Sequence, residues 1–398
     1  MKICLINNFY QPQVRGGAEK VIARMIQALK ADYEICLITL AQVGEKDSFA
    51  LEDGVGVYRL ASSNVYHLWQ AGQFGGLRKI YWHLKNVNNQ TIVKKVLAIL
   101  AAVRPAVIMT GNLTGLSLSL PHFLHQQGYP VIHYLFDYQL IDPQGTLFRK
   151  NKYLNQLPWY LNWYKNWVAK YFTKVNYCVG PSQFIINKYQ EHGFFKNILV
   201  GKLPTPVVAQ ALPAIRLSQI SLPLKLIYVG QIEPSKGVDW LLKTLINYSK
   251  SDWQLTVVGD GSIRQTLIDQ YQNDPRIIFV GKKMDQELLT IWQQQHLTII
   301  PSLWWENFTT VAIESYQLGL PVIGSSSGGT PELIAQGQSG LVFQAGNQQD
   351  FYQKLDAIFN NLNILETWSA YLAEHLEQYS EQRFIQKFNQ IVALILKR

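Results

Sequence analysis

Residues 224–230 read LKLIYVG, 253–259 read WQLTVVG and 276–281 read RIIFVG. Each is a short, continuous apolar run that ends in Val-Gly, and longer stretches with helical spacing separate them. Such runs predict strands buried on both faces, and buried strands alternating with helices imply a parallel sheet covered on both sides. LTIIPS (297–302) and LPVIGS (320–325) extend the series to five strands. The Val-Gly pairs mark where the chain leaves the carboxyl end of a strand, the edge where open α/β sheets bind ligands.

Working outward, the same rhythm fills the first half. KICLIN (2–7), EICLITL (34–40), PAVIMT (105–110), PVIHYLF (130–136) and KVNYCVG (174–180) read as strands, and Gly17 to Lys30 reads as a helix. The Pro-containing stretch from Leu203 to Pro223 is the expected join. The fold class is therefore α/β, with two Rossmann-like domains, residues 1–205 and 206–380, expected to face a central cleft.

A chain of 398 residues with 48% apolar and 16% charged side chains forms cores and is not disordered. Its net charge of +9 is uneven: residues 1–205 hold 22 basic and 10 acidic residues, and 206–398 hold 14 and 17. The first half is thus suited to an anionic neighbour. MKICLINNFYQP lacks the long apolar core of a secretory signal. Pro105 to Phe136 carries no charge, but its glycines, prolines and histidines break it too often for a spanning helix. Cys4, Cys36 and Cys178 lie far apart in apolar runs and are expected to be buried, reduced thiols, as in a cytoplasmic protein.

Several strand exits carry chemistry. Arg15-Gly16-Gly17-Ala18-Glu19 opens the first helix, and Ser327-Gly328-Gly329-Thr330-Pro331-Glu332 follows the strand at 320–325. Glycine admits a ligand close to the backbone, and helix N-terminal amides favour anions. A tight turn without a ligand is the other reading of each pair. Glu306 through Glu314 places one carboxylate in a loop and another on a helix, with Thr309 or Thr310 as N-cap. Such carboxylates could grip the two ends of an extended ligand, or could be a capping acid and a surface acid. Lys236, in the loop after 224–230, could neutralise a phosphate or lie free at the surface. Gly259-Asp260-Gly261 meets Arg264 where a dinucleotide fingerprint needs its last glycine.

Together, Gly16-Gly17-Ala18-Glu19, Lys236-Gly237, Pro301-Ser302 with Glu306 and Glu314, Gly319-Leu320-Pro321-Val322, Gly328-Gly329 and Pro331-Glu332 stand in an order that resembles the GT4 family of retaining glycosyltransferases with the GT-B fold. The resemblance covers nearly the whole chain and is densest from 224 to 345. It implies a nucleotide diphosphate sugar donor held by the C-terminal half and an acceptor held by the N-terminal half. It further implies that Glu314 binds the ribose, and that Glu306 with Asn307, Phe308, Thr309 and Thr310 holds the sugar and diphosphate. Gly16, Gly17, Gln231 and Lys236 would meet the diphosphate, and Met284 the base. Glu306, Lys236 and Asp137 would be catalytic, with no metal and no cofactor. Residues 381–398 would form a helix packing back on the N-terminal domain.

Two positions depart from the family pattern. Gln231 stands where an Arg is frequent, and Phe136 precedes Asp137 where a His is frequent; His133 is a poor substitute. These departures leave open a binding protein of the same shape that has lost turnover, and a nucleotide-sugar epimerase is a third reading. No Asp-x-Asp metal motif is present, and His122-x-x-His125 has no acidic or thiol partner nearby.

From Pro143 to Gln190 there is no acid, while Trp159, Trp163, Trp167 and Tyr171 recur every four residues. This basic, aromatic helix fits an anionic membrane surface, or packing on its own sheet. No nucleic-acid motif accompanies it. The overall expectation is a metal-independent hexosyltransferase making cell-surface polysaccharide or glycolipid, cytoplasmic and at the inner face of the membrane.

Overall fold

The computed structural model describes residues 1–13, 17–149, 152–206, 217 and 219–397. The chain forms two compact units. The first comprises Met1–Leu147, Leu154–Pro206 and Glu381–Arg398, and the second Phe148–Tyr153 and Val207–Ser380. Residues 207–216 and 218 of the expected join lie outside the described residues.

The chain begins with β1 (Lys2–Ile6), α1 (Gly17–Leu29), β2 (Glu34–Leu40), β3 (Ser48–Glu52), β4 (Val55–Leu60), α2 (Gly76–Val87) and α3 (Gln90–Val103). There follow β5 (Val107–Thr110), α4 (Leu120–Gln126), β6 (Val131–Tyr134) and a two-stranded hairpin of β7 (Phe148–Arg149) and β8 (Lys152–Tyr153). The hairpin belongs to the second unit. The first unit resumes with α5 (Trp159–Ala169), β9 (Tyr177–Gly180), α6 (Gln183–Glu191) and β10 (Leu199–Lys202).

Its sheet runs β10-β9-β6-β5-β1-β2-β4-β3. Every pairing is parallel except β3–β4, an antiparallel edge. The sequence reading of a wholly parallel sheet missed this edge because SFALE has no fully buried residue and VGVYRL interleaves buried with half-buried ones, the mark of strands wet on one side. The inner strands are continuous and dry, β1 burying Ile3 to Ile6 completely.

The second unit holds β11 (Leu224–Val229), α7 (Val238–Ile246), β12 (Trp253–Val258), α8 (Arg264–Tyr271), β13 (Ile277–Gly281), α9 (Asp285–Trp292) and β14 (Leu297–Ile300). It continues through α10 (Thr310–Gln317), β15 (Val322–Ser325), β16 (Gly340–Phe343), α11 (Gln348–Asn360) and α12 (Asn363–His375). The sheet order β13-β12-β11-β14-β15-β16 is wholly parallel. In relative order this is 3-2-1-4-5-6, the doubly wound dinucleotide-fold arrangement, and its direction of winding reverses between β11 and β14.

The last helix, α13 (Glu381–Leu396), returns to the first unit. Phe384, Phe388, Ile391, Val392 and Ile395 fall on one face and enter the core with α1 residues Ile22, Met25 and Ile26. Each such burial removes an apolar side chain from water, worth about 2 kcal/mol. Tyr33 donates a hydrogen bond to Asn389 and meets the Phe388 ring edge-on. The three cysteines are buried free thiols. Among the described residues no helix is long and apolar enough to cross a membrane.

Candidate active site

In the second unit the chemistry gathers where the winding reverses. The chain leaves β11 through Gln231 and Glu233 into a single 3-10 turn, Pro234–Lys236. It leaves β14 through Pro301 and Ser302 toward Glu306. The Ser235 carbonyl accepts hydrogen bonds from the Leu303 and Trp304 amides, at 2.9 and 3.2 Å, and so ties the two exits together. Lys236 Nζ then reaches Glu306 Oε1 at 2.7 Å, and Ser302 Oγ donates to the same oxygen at 2.7 Å. The carboxylate side chain is 8% exposed and the lysine 24%. The ammonium also lies 4.8 Å from the centre of the Trp304 ring, a cation–π contact.

The exit of β15 closes on the backbone of the same loop. Gly329 N–H donates to the Glu306 carbonyl at 2.6 Å, and Ser325 Oγ to the Ser302 carbonyl at 2.7 Å. Gly328 has φ +69°, and a Cβ there would lie 2.1 Å from the Glu306 carbonyl oxygen. Only glycine fits both the turn and the space. Ser327 Oγ donates to the Trp304 carbonyl and pairs with the Tyr153 hydroxyl at 2.6 Å. Tyr153 stacks on Trp305 with ring centres 4.5 Å apart. Burial raises its phenol pKa, and the Glu306 charge adds to the rise.

Thr309 is the N-cap residue of α10, but its side chain does not cap; its hydroxyl pairs instead with that of Thr330 at 2.9 Å. The helix N-terminus thus has no side-chain cap, an arrangement suited to an anion. Asn307 and Thr309 are buried, whereas Phe308 packs into the cluster of Ile300, Ile313 and Leu333. Of Phe308, the backbone and not the ring is therefore available to a ligand. Thr310 opens α10 and Glu314 lies on its second turn. Gln231 is exposed, and its carbonyl accepts from the Tyr228 hydroxyl at 2.6 Å. Met284, 49% exposed, is the residue before α9.

The first unit carries a separate cavity of about 330 Å³ at the carboxyl ends of β1 and β5, where its own strand order reverses. Asn8, Phe9, Glu19, Trp82, His83 and Asp137 are among its walls. Asp137 accepts from Asn112 Nδ2 at 2.7 Å and from the Gln139 amide at 2.8 Å. Desolvation outweighs those two bonds, and with Asp142 and Glu19 nearby it raises the carboxyl pKa to about 7. Burial, with the Lys79 charge, lowers His83 to about 4. Gly17 is the exposed first residue of α1, and Gly16 lies outside the described residues.

His133 is no member of this cavity. It is buried in β6 against Phe172, its Nδ1 2.9 Å from Thr110 Oγ1, and burial lowers its pKa to about 3. Phe136 packs beside Tyr134 and over Gly111. Among the described residues no group of three or more His, Cys, Asp or Glu side chains is placed to hold a metal ion.

The structure thus brings Lys236 and Glu306 into contact and places Asp137 in the other unit's cavity. Sequence reasoning overlooked Ser302 as a partner of Glu306, although it quoted the Pro-Ser step, and gave Trp304 no role. Ser327 stood in the quoted Gly-Gly motif without a role of its own, and Tyr153 carries no sequence signal, because a two-residue strand has no periodicity to read.

The family model for glycosyl transferases group 1 matches residues 220–375. The chain is similar to an uncharacterized 42.6 kDa protein in the cps region of Klebsiella pneumoniae, 24% identical over 84% of this chain and 87% of that one. Among solved structures it is similar to sucrose-phosphate synthase from Thermosynechococcus elongatus, with TM-score 0.76, 16% identity, and coverage of 100% of this chain and 99% of that one. It is also similar to Anabaena HepE, solved in complex with UDP, with TM-score 0.69, 14% identity, and coverage of 99% and 100%. These likenesses establish the fold as the GT-B type, two Rossmann-like α/β domains. The motif positions of its second unit fall inside the segment that the group 1 glycosyl transferase model matches.

Proposed function

We propose that this glycosyltransferase moves a hexosyl residue from a nucleotide diphosphate sugar to a glycan or lipid-linked glycan, with retention at the anomeric carbon and without a metal. The observation that carries the reading is the Lys236–Glu306 contact beside the N-terminus of α10. As a glycosidic bond breaks, negative charge grows on the departing diphosphate. A lysine on a short turn and the N-terminal end of a helix without a side-chain cap stabilise that charge without reorganising. Glu306 is the acceptor for sugar hydroxyls, and Glu314, farther along α10, for those of the ribose. In retention by same-face attack the departing oxygen takes the acceptor's proton, so a separate nucleophile is not needed. Asp137 and the amides around it offer the first unit's cavity as a seat for the acceptor. The UDP complex of the similar Anabaena protein supports a nucleotide ligand, and the place of the similar Klebsiella pneumoniae protein in a cps region favours a glycan product.

The test is a thermal-shift screen against UDP, GDP, ADP and TDP, followed by their sugar conjugates. A nucleotide at 100 times its dissociation constant stabilises the protein by about 2.7 kcal/mol. The expected result is a selective shift with one nucleotide that Glu314→Ala removes. Equal melting with all four, at concentrations that shift a known nucleotide-sugar transferase, would overturn the reading.

A further inference from the structure

Helix α2 is held by one face and bare on the other. Trp82, Asn86 and Val87 are buried, and Trp82 Nε1 donates to the Tyr66 carbonyl at 2.8 Å. Lys79, Trp82 and His83 line the first unit's cavity. On the opposite side Leu77, Ile80, Tyr81 and Leu84 are 84, 57, 61 and 38% exposed. Their spacing, i, i+3, i+4 and i+7, makes one continuous apolar stripe. Isolated apolar residues on a surface are ordinary, but a stripe of four on one helix is a contact face.

The surrounding charge selects what covers it. Arg78, Lys79 and Lys85 stand on the same helix, which has no acid. From Gly54 to Gln190 the chain holds fourteen Lys and Arg against two acids, Asp137 and Asp142. Asp142 is fully buried and Asp137 faces the cavity, so neither offsets the surface charge. A second copy of this chain would bring the same positive field against itself. An anionic lipid surface supplies both partners at once, acyl chains for the stripe and headgroups for the bases. The same unit carries a second exposed set on α5, Trp159, Tyr160 and Trp163, with Leu161, Tyr164 and Val168 turned inward. Along the tryptophan face of α5, Trp159 and Trp163 are exposed while Trp167 is partly buried.

From this we infer that α2 is a membrane-docking helix, lying in the headgroup layer of an anionic bilayer while its inner face walls the cavity. The proposal is independent of the sugar-transfer reading, since it concerns binding to lipid alone.

The full chain is sedimented with vesicles of phosphatidylcholine and with vesicles of phosphatidylcholine and phosphatidylglycerol in equal parts. Binding is expected to the anionic vesicles only and to weaken with added salt. The triple substitution Leu77→Ser, Ile80→Ser, Leu84→Ser is expected to abolish it. Arg78→Glu, which leaves the stripe intact, is expected to weaken it at least about five-fold, the worth of one basic residue near such a surface. Failure of the wild type to bind anionic vesicles would overturn the proposal. So would wild-type binding by both variants once their melting curves match the parent, or a dimer in sedimentation velocity that the triple variant dissolves. Should the triple variant melt early, Tyr81→Trp supplies the second readout: its emission is expected to shift to the blue on anionic vesicles, and an unchanged spectrum would count against docking.

Discussion

Lys236 and Glu306 stand 70 residues apart in sequence and 2.7 Å apart in space, Nζ to Oε1. The meeting follows from topology: β11 and β14 are neighbours where the winding of the sheet reverses, so their exits emerge side by side. The pair is unequal. Glu306 is nearly dry, whereas Lys236 is partly in water.

That inequality predicts an asymmetric response. Lys236→Ala leaves a buried carboxylate with Ser302 as its side-chain donor, while Glu306→Gln leaves a lysine free to hydrate. Urea melts are expected to show Lys236→Ala less stable than Glu306→Gln by about 1–2 kcal/mol. Equal losses would mean the contact adds little to the fold.

Transfer is expected to fail in both Glu306→Ala and Lys236→Ala, each losing at least about 100-fold in turnover. Radiolabelled donor and an extracted acceptor fraction give the readout. Near-normal turnover in either variant, with the fold intact by circular dichroism, would remove that residue from the catalytic group.

Gly328→Ala forces a Cβ onto the Glu306 backbone, and Gly237→Ala forces one to 2.0 Å from the Pro301 carbonyl at φ +73°. Left-handed backbone alone costs about 1–2 kcal/mol for alanine, before the clash is counted. Both variants are expected to lose nucleotide binding in the thermal-shift assay as the exits are pushed apart. Gly44→Ala, with open space around it, is the control and is expected to keep binding.

Asp137 gives a pH signature. Its carboxyl pKa rises from the ordinary 3.8 to about 7 on folding, so the folded state holds its proton more tightly. That contribution to stability is complete below the unfolded value and is lost as pH climbs to about 7. Asp137→Asn removes the titration, so its stability relative to wild type is expected to improve by about 2 kcal/mol between about pH 4 and 8, water access at the cavity keeping the figure modest. Parallel denaturation curves with a pH-independent difference would place the shift elsewhere.

Tyr153 offers a finer test of the site's framework. Tyr153→Phe keeps the stack on Trp305 and loses the bond to Ser327, while Tyr153→Ala loses both. Donor affinity is expected to fall modestly in the first, by about five-fold for one hydrogen bond, and further in the second. Isothermal titration distinguishes them; unchanged affinity in both would show that the hairpin does not brace the site.

How far the sequence could be read varied with the range of the forces involved. Buried parallel strands such as β11, β12 and β14 are continuous apolar runs, so periodicity alone finds them. The partly wet strands β3 and β4, and β10 with three half-buried residues and an exposed Lys202, lack that signal. In the site, glycines and acids at strand exits were visible because backbone geometry and charge restrict them. The partners of Glu306 and Lys236 were not, because Ser302 and Trp304 are ordinary residues until the sheet order brings the two strand exits together. Strand order depends on contacts between distant segments, which no local pattern records.

The return of α13 to the first unit has a consequence for how the protein is made. A ribosome delivers β1 to β10 early, yet the groove that Phe384, Phe388 and Ile395 fill stays open until the final helix emerges. The second unit, Val207–Ser380 with its hairpin Phe148–Tyr153, is complete before that moment. Synthesis therefore exposes an apolar groove for as long as the second unit takes to emerge between β10 and α13, the condition in which chaperones bind and premature release leads to aggregation.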